Sequence, residues 1–250
     1  MSALPLILVP GLMCNHAVWE PLLPWLAVDR PCSVADHAQA DSLPQMAHQL
    51  LAWAPAQFVM AGHSMGARVA LEVLRLAPER VRGVALMDTG FLPKPSGPAG
   101  DDEADKRFAL LKIAKEQGVR AMAQQWVRGM VHPDRLCDAE LMERILAMFE
   151  RKSADIFERQ IRALLSRPDG SSVLRGLHVP TLLMCGAQDA WSPPAQHQAM
   201  QALVPSALGH IDLIEQAGHM APMERPDEVA HSLSAWLARC AAKTTEDLVH

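Results

Sequence analysis

The stretch Gly62-His63-Ser64-Met65-Gly66 carries the clearest chemical content in the chain. A serine hydroxyl is a poor nucleophile near neutral pH. It needs a base within hydrogen-bond reach and a third group that holds the base's tautomer. Ser64 lies between an apolar run, 58–61, and a mostly apolar segment, 67–76, whose polar residues are Arg68, Glu72 and Arg75. A buried strand that turns directly into a buried helix strains the backbone at the serine, and glycines two residues to either side permit the close approach. Such a turn lifts the hydroxyl above the sheet edge. Groups able to assist it follow other predicted strands: Asp88 after 82–87, Asp189 after 180–185 and His219 after the last strand, 210–215. Imidazole titrates near neutral pH, so His219 suits proton transfer. Asp88 and Asp189 both remain candidates for the orienting acid. His63 adjoins the serine, points to another side of the turn and reads as packing. Asp36 and His37 lie in a polar loop outside any recognisable motif.

The elements that must position these groups alternate along the chain. Strands are predicted at 4–9, 32–35, 58–61, 82–87, 180–185 and 210–215, and helices at 15–27, 42–53, directly after the serine turn, 194–203 and 226–240. Pro21 and Pro24 must shorten or distort the first helix. This alternation implies an α/β fold, a mostly parallel sheet with right-handed crossovers and helices on both faces. Functional groups then gather at the C-terminal strand ends. Residues 91–100, with three prolines and two glycines, break the pattern as a linker. Four helical segments follow at 102–117, 119–131, 138–151 and 154–165. Their apolar residues, including Met122, Trp126, Met130, Met142, Met148 and Phe149, are expected mostly to pack, with the rest lining an adaptable pocket. Lys243–His250 reads as a frayed tail.

Composition excludes several classes. A net charge of −5 without a basic cluster argues against nucleic acid. The longest apolar stretches fall far below the roughly 18 residues of a membrane span. No basic segment followed by an apolar one opens the sequence, and five scattered cysteines form no Cys-x-x-Cys pair, so a reduced cytoplasmic setting is expected. No metal-ligand spacing, Gly-x-Gly-x-x-Gly or P-loop occurs, so neither metal nor organic cofactor is expected. Charge divides unevenly: residues 91–175 hold 15 Lys and Arg against 13 Asp and Glu, the remainder 8 against 15.

Val9-Pro10-Gly11-Leu12, the serine turn, Cys185-Gly186-Ala187-Gln188-Asp189 and Gly218-His219-Met220-Ala221-Pro222 occur in the order seen in the α/β-hydrolase superfamily, which the chain resembles over most of its length. Residues 91–175 match only in length and helical character. The resemblance implies a core of 1–90 and 176–250 under an all-helical cap, 91–175. It also implies a Ser64, Asp189, His219 triad and an oxyanion hole from the backbone N–H groups of Leu12 and Met65. Asp88 matches an alternative acid position used by some members. The two antiparallel strands that often open the sheet are missing, and Pro10 replaces the usual histidine. Serine at the elbow separates the chain from dehalogenases and epoxide hydrolases, which carry aspartate there. Ser-Met-Gly resembles carboxylesterases, cofactor-free haloperoxidases and carbon–carbon bond hydrolases of aromatic degradation. The loop at 10–26 is similar to that of carrier-protein methyl ester esterases, which makes an acyl carrier protein a candidate partner. The implied activity is a serine hydrolase cleaving a small or medium carboxylic ester through an acyl-enzyme. A carbon–carbon hydrolase or a non-catalytic ligand-binding member is the alternative.

Overall fold

The computed structural model describes residues 3–37 and 39–247. Strands β1 (Leu6–Val9), β2 (Cys32–Val34), β3 (Phe58–His63), β4 (Val81–Met87), β5 (Thr181–Gly186) and β6 (Gly209–Ile214) form one sheet, ordered β2-β1-β3-β4-β5-β6. Every pairing is parallel, with Leu8 opposite Ala61 and Val84 opposite Thr181. Helices cover both faces of such a sheet, which is why β1, β3 and β5 are apolar at nearly every position and buried throughout.

The predicted helix at 15–27 is broken into two 3₁₀ turns, His16–Val18 and Glu20–Leu22, and a short α1 (Leu23–Leu26). Pro21 and Pro24 lack the N–H that a continuous helix would need there. Helix α2 (Leu43–Trp53) starts where the Ser42 hydroxyl accepts the Gln45 N–H at 3.4 Å. Helix α3 (Met65–Leu76) follows Ser64 directly.

Between β4 and β5 run α4 (Pro98–Gln117), α5 (Val119–Trp126), α6 (Ala139–Glu150), α7 (Ala154–Leu165) and α8 (Ser171–Arg175). The predicted linker is shorter than expected because Pro98 opens α4, a position where a missing N–H costs nothing. The segment predicted to end at 131 leaves α-helix at Trp126 for a 3₁₀ turn. Asp138 and Ser153 cap α6 and α7 by accepting the N–H groups of Leu141 and Ile156. Helix α4 packs on α5 and α7, and α5 on α6.

Helices α9 (Pro194–Gln201), α10 (Ala221–Glu224) and α11 (Pro226–Asp247) complete the chain. Trp236 of α11 is fully buried and donates its indole N–H to Pro180 at 3.0 Å, which ties the helix to the start of β5. The expected frayed tail begins too early: α11 continues through Asp247, and 248–250 lie outside the described residues. No described helix is long and apolar enough to cross a membrane.

Candidate active site

Strand β3 delivers Ser64 into the turn with φ 55° and ψ −117°, a conformation that L-residues adopt only under constraint. A Cβ on Gly66 would stand 2.0 Å from the Val9 carbonyl oxygen, and one on Gly62 would lie 2.6 Å from Ala67 backbone. Only glycine lets β3, β1 and α3 meet this closely. Hydrogen bonds on both sides hold the strained residue: its N–H donates to Met87 O at 2.8 Å, and Thr89 Oγ1 donates to its carbonyl at 3.0 Å.

The loops after β5 and β6 bring Asp189 and His219 to that serine. His219 Nε2 is 2.9 Å from Ser64 Oγ, and His219 Nδ1 is 2.8 Å from Asp189 Oδ2. The second oxygen of Asp189 accepts the N–H groups of Trp191 and Ser192 at 2.8 and 2.9 Å. Burial alone would raise this carboxyl's pKa. The charge and hydrogen bond of His219, with the two amides, outweigh it and lower the pKa to about 2. Asp189 is therefore an anion while it holds the imidazole. The backbone N–H groups of Leu12 and Met65 find no acceptor among the described residues.

Asp88 stands elsewhere. Its Oδ1 accepts the Gly186 N–H at 3.0 Å, and its Oδ2 lies 3.8 Å from His63 Nε2 without a hydrogen bond. Burial first, then the charge of Asp189, raises its pKa well above the carboxylate range. His63 does more than pack. Its Nε2 donates to the His219 carbonyl at 2.8 Å, with the rings 5.4 Å apart, so it fixes the backbone of the base. Burial, followed by the neighbouring His219, lowers its pKa to about 3, so it stays neutral. Asp36 and His37 lie outside this site: Asp36 is exposed and paired with Lys152, and His37 is buried away from the cavity.

Glu224 went unread in the sequence, where an acid near a helix start resembles any solvated residue. Its Oε1 accepts the N–H groups of Gly218 and Met220 at 3.0 and 3.2 Å, and its Oε2 that of His132 at 2.7 Å. His219 N–H donates to Met130 O at 2.6 Å. The segment after α5 thus grips both sides of the base.

A cavity of about 680 Å³ opens over Ser64 and His219. Trp126 stacks on Trp191 at 5.5 Å, and Trp191 lies 5.0 Å from the His219 ring. Met130, Leu110 and Leu164 extend this apolar wall, so Trp126 and Met130 line the pocket while Met122, Met148 and Phe149 are fully buried in packing. No cluster of His, Cys, Asp and Glu among the described residues could hold a metal.

The profile of the Alpha/beta hydrolase family matches residues 6–232. The chain belongs to that family. As such, the hydrolase is 29% identical over 253 residues to the dihydrolipoyllysine-residue acetyltransferase component of the acetoin cleaving system of Pseudomonas putida. That match takes in 94% of this chain but 64% of the relative, so the chain spans less than two thirds of that protein's length. It is 29% identical to a protein of Pseudomonas syringae pv. syringae named for carbamate hydrolysis, RutD, with 93% of each chain covered. The pimeloyl-acyl-carrier-protein methyl ester esterase of Photobacterium profundum is 25% identical, with 93% of this chain and 94% of the relative covered. Among solved structures, a thermophilic esterase from Thermogutta terrifontis superposes with a TM-score of 0.81 at 24% identity, covering 96% of this chain and 91% of its own; that likeness is one of fold.

Proposed function

We propose that this hydrolase cleaves a small or medium carboxylic ester through an acyl-enzyme intermediate. The observation that carries the reading is the unbroken hydrogen-bond line from Ser64 Oγ through His219 to Asp189, with Ser64 facing a cavity. Ser64 Oγ forms a bond to the acyl carbon as its proton passes to His219 Nε2. Asp189 stays ionised and holds the Nδ1–H tautomer that leaves Nε2 free to accept. The carbonyl oxygen becomes an oxyanion beside the N–H groups of Leu12 and Met65, each worth a few kcal/mol at such a position. His219 then gives its proton to the leaving alkoxide as the carbon–oxygen bond breaks. A water, deprotonated by the same imidazole, displaces Ser64 and regenerates the free enzyme.

In this reading residues 91–175 form a cap over a core of 1–90 and 176–250. The core supplies Ser64 and His219, while the cap supplies Leu110, Trp126, Met130 and Leu164 to the cavity. The likeness to a carrier-protein methyl ester esterase supports including carrier-bound esters among the substrates to test, and the setting proposed for the reaction is the cytoplasm. Labelling with a fluorophosphonate, followed by a panel of esters and thioesters, tests nucleophile and substrate class together. Ser64→Ala should lower ester turnover by about 10⁶-fold with an unchanged circular dichroism spectrum. Labelling retained in that variant would overturn the assignment.

A further inference from the structure

One end of the cavity is built for charge. Arg68 lies four residues after Ser64, one turn along α3 on the same face, and lines the same cavity. Its Nη1 donates to Leu92 O at 3.0 Å, a carbonyl that also accepts Arg167 Nε at 3.2 Å. Arg167 turns its two remaining nitrogens onto Glu103 at 2.7 and 2.8 Å, and Arg107 Nε meets that carboxylate at 3.0 Å. Two guanidinium groups therefore share the Glu103 carboxylate, and the third, Arg68, meets only the Leu92 carbonyl. Lys106, also in the wall, is already answered by Asp102 at 2.7 Å. Asp88, the other carboxyl in the wall, is turned away from the arginines toward the Gly186 N–H and His63, and burial raises its pKa.

Arg68 makes no ion pair among the described residues. Burial, with the charge of Arg167 added, lowers its pKa to about 9, a measure of how poorly the wall compensates it. A half-buried guanidinium with spare donors is costly unless an anion meets it, and its planar fork fits a carboxylate with two parallel bonds. The indole of Trp191, stacked on Trp126, stands instead beside His219, where a ligand's apolar body would lie.

Resting on the ester-hydrolase reading above, we propose that Arg68 is a specificity residue that recognises a carboxylate on the substrate, and that the preferred substrates are esters also carrying a free carboxylate, such as half-esters of dicarboxylic acids. The second charge is bound at the Arg68 end while the ester carbonyl is presented to Ser64. Arg107 and Arg167, already engaged by Glu103, lend field rather than direct bonds.

The test compares kcat/KM for monoethyl dicarboxylates with two to six methylenes against their diethyl counterparts. The wild-type protein should favour the best half-ester by at least about tenfold, and Arg68→Gln should bring that ratio close to parity, chiefly through KM, with Arg68→Lys recovering part of it. Should Arg68→Gln fail to fold, competitive inhibition of the wild type by a free dicarboxylate but not by the matched diamide reads the same site. Hydrolysis of the diesters with no half-ester preference would overturn this inference and leave the ester-hydrolase reading standing. Turnover of neither series, with no fluorophosphonate labelling, would overturn the reading beneath it. Equal losses on both series in Arg68→Gln would mark Arg68 as a clamp on Leu92 only, and stronger inhibition by inorganic phosphate than by any dicarboxylate would overturn the choice of carboxylate.

Discussion

Asp189 and Asp88 both follow predicted strands, and what separates them is distance in space. Asp189 meets His219 at 2.8 Å, whereas Asp88 is turned toward the Gly186 amide and His63. Asp189→Asn should therefore lower kcat by about 10⁴-fold, because the amide favours the wrong imidazole tautomer. Asp88→Asn keeps an oxygen for Gly186 and should stay within about tenfold of the parent. Steady-state kinetics of the two variants check the assignment, and the reversed pattern would overturn it. Glu224 offers a second prediction. Glu224→Ala strips the acceptor from three backbone N–H groups at about 1–3 kcal/mol each, so the melting temperature should fall by about 6 °C or more. Ser64 and His219 were legible in the sequence because glycine spacing and strand ends betray them. Glu224 and His63 were not, since both act on backbone groups brought near only by folding.

At the scale of elements, the β3–α3 turn tolerates little change. Gly66→Ala drives a methyl into the Val9 carbonyl at 2.0 Å, where backbone and not a flexible side chain must yield. The variant should be recovered largely insoluble, or with its melting temperature lowered by more than about 10 °C in a thermal scan. The long apolar strands and the helices that alternate with them were readable from period and punctuation. Elements of four or five residues, α1, α8 and α10, were not, because a single turn of helix carries no period and Pro21 and Pro24 disguise the segment that contains α1. The helices between β4 and β5 allow a separate test. Because β4 and β5 pair directly, replacing 95–172 by a short linker should leave a soluble, sheet-containing protein. Its turnover should drop and its ester selectivity broaden or vanish, since the Met130 and His132 backbone groups that hold the His219 loop go with the segment. Loss of the far-ultraviolet sheet signal would show instead that the segment is needed for the core.

For the whole molecule, acid stability turns on buried imidazoles. Burial is the largest cause lowering the pKa values of His37, His63 and His197, to about 4, 3 and 4. Their unfolded counterparts titrate near 6.5, so as pH falls from about 6.5 toward 4 the unfolded chain takes up protons that the folded chain refuses. Stability then drops by about 1.4 kcal/mol per pH unit for each. Asp88 and Glu224 oppose this trend, because burial raises their pKa values and the stability they confer at low pH is lost as pH rises. The ring nitrogens of His37 have no hydrogen-bond partner among the described residues, so His37→Leu isolates one share. Melting temperature against pH between 6.5 and 4 should flatten by about one proton's worth, and an unchanged slope would show that His37 is charged in the folded protein. The sheet order has a consequence in time as well. Val84 of β4 pairs with Thr181 of β5, 97 residues later, while β1, β2 and β3 all precede β4. During synthesis the first four strands can assemble with β4 as a bare margin, apolar except at Arg82, until the ribosome has released β5. At about 5–20 residues per second that wait lasts about 5–20 s, long enough for the open margin to recruit a second nascent chain. The stretch that walls the cavity is thus also the interval during which a chaperone has most to protect.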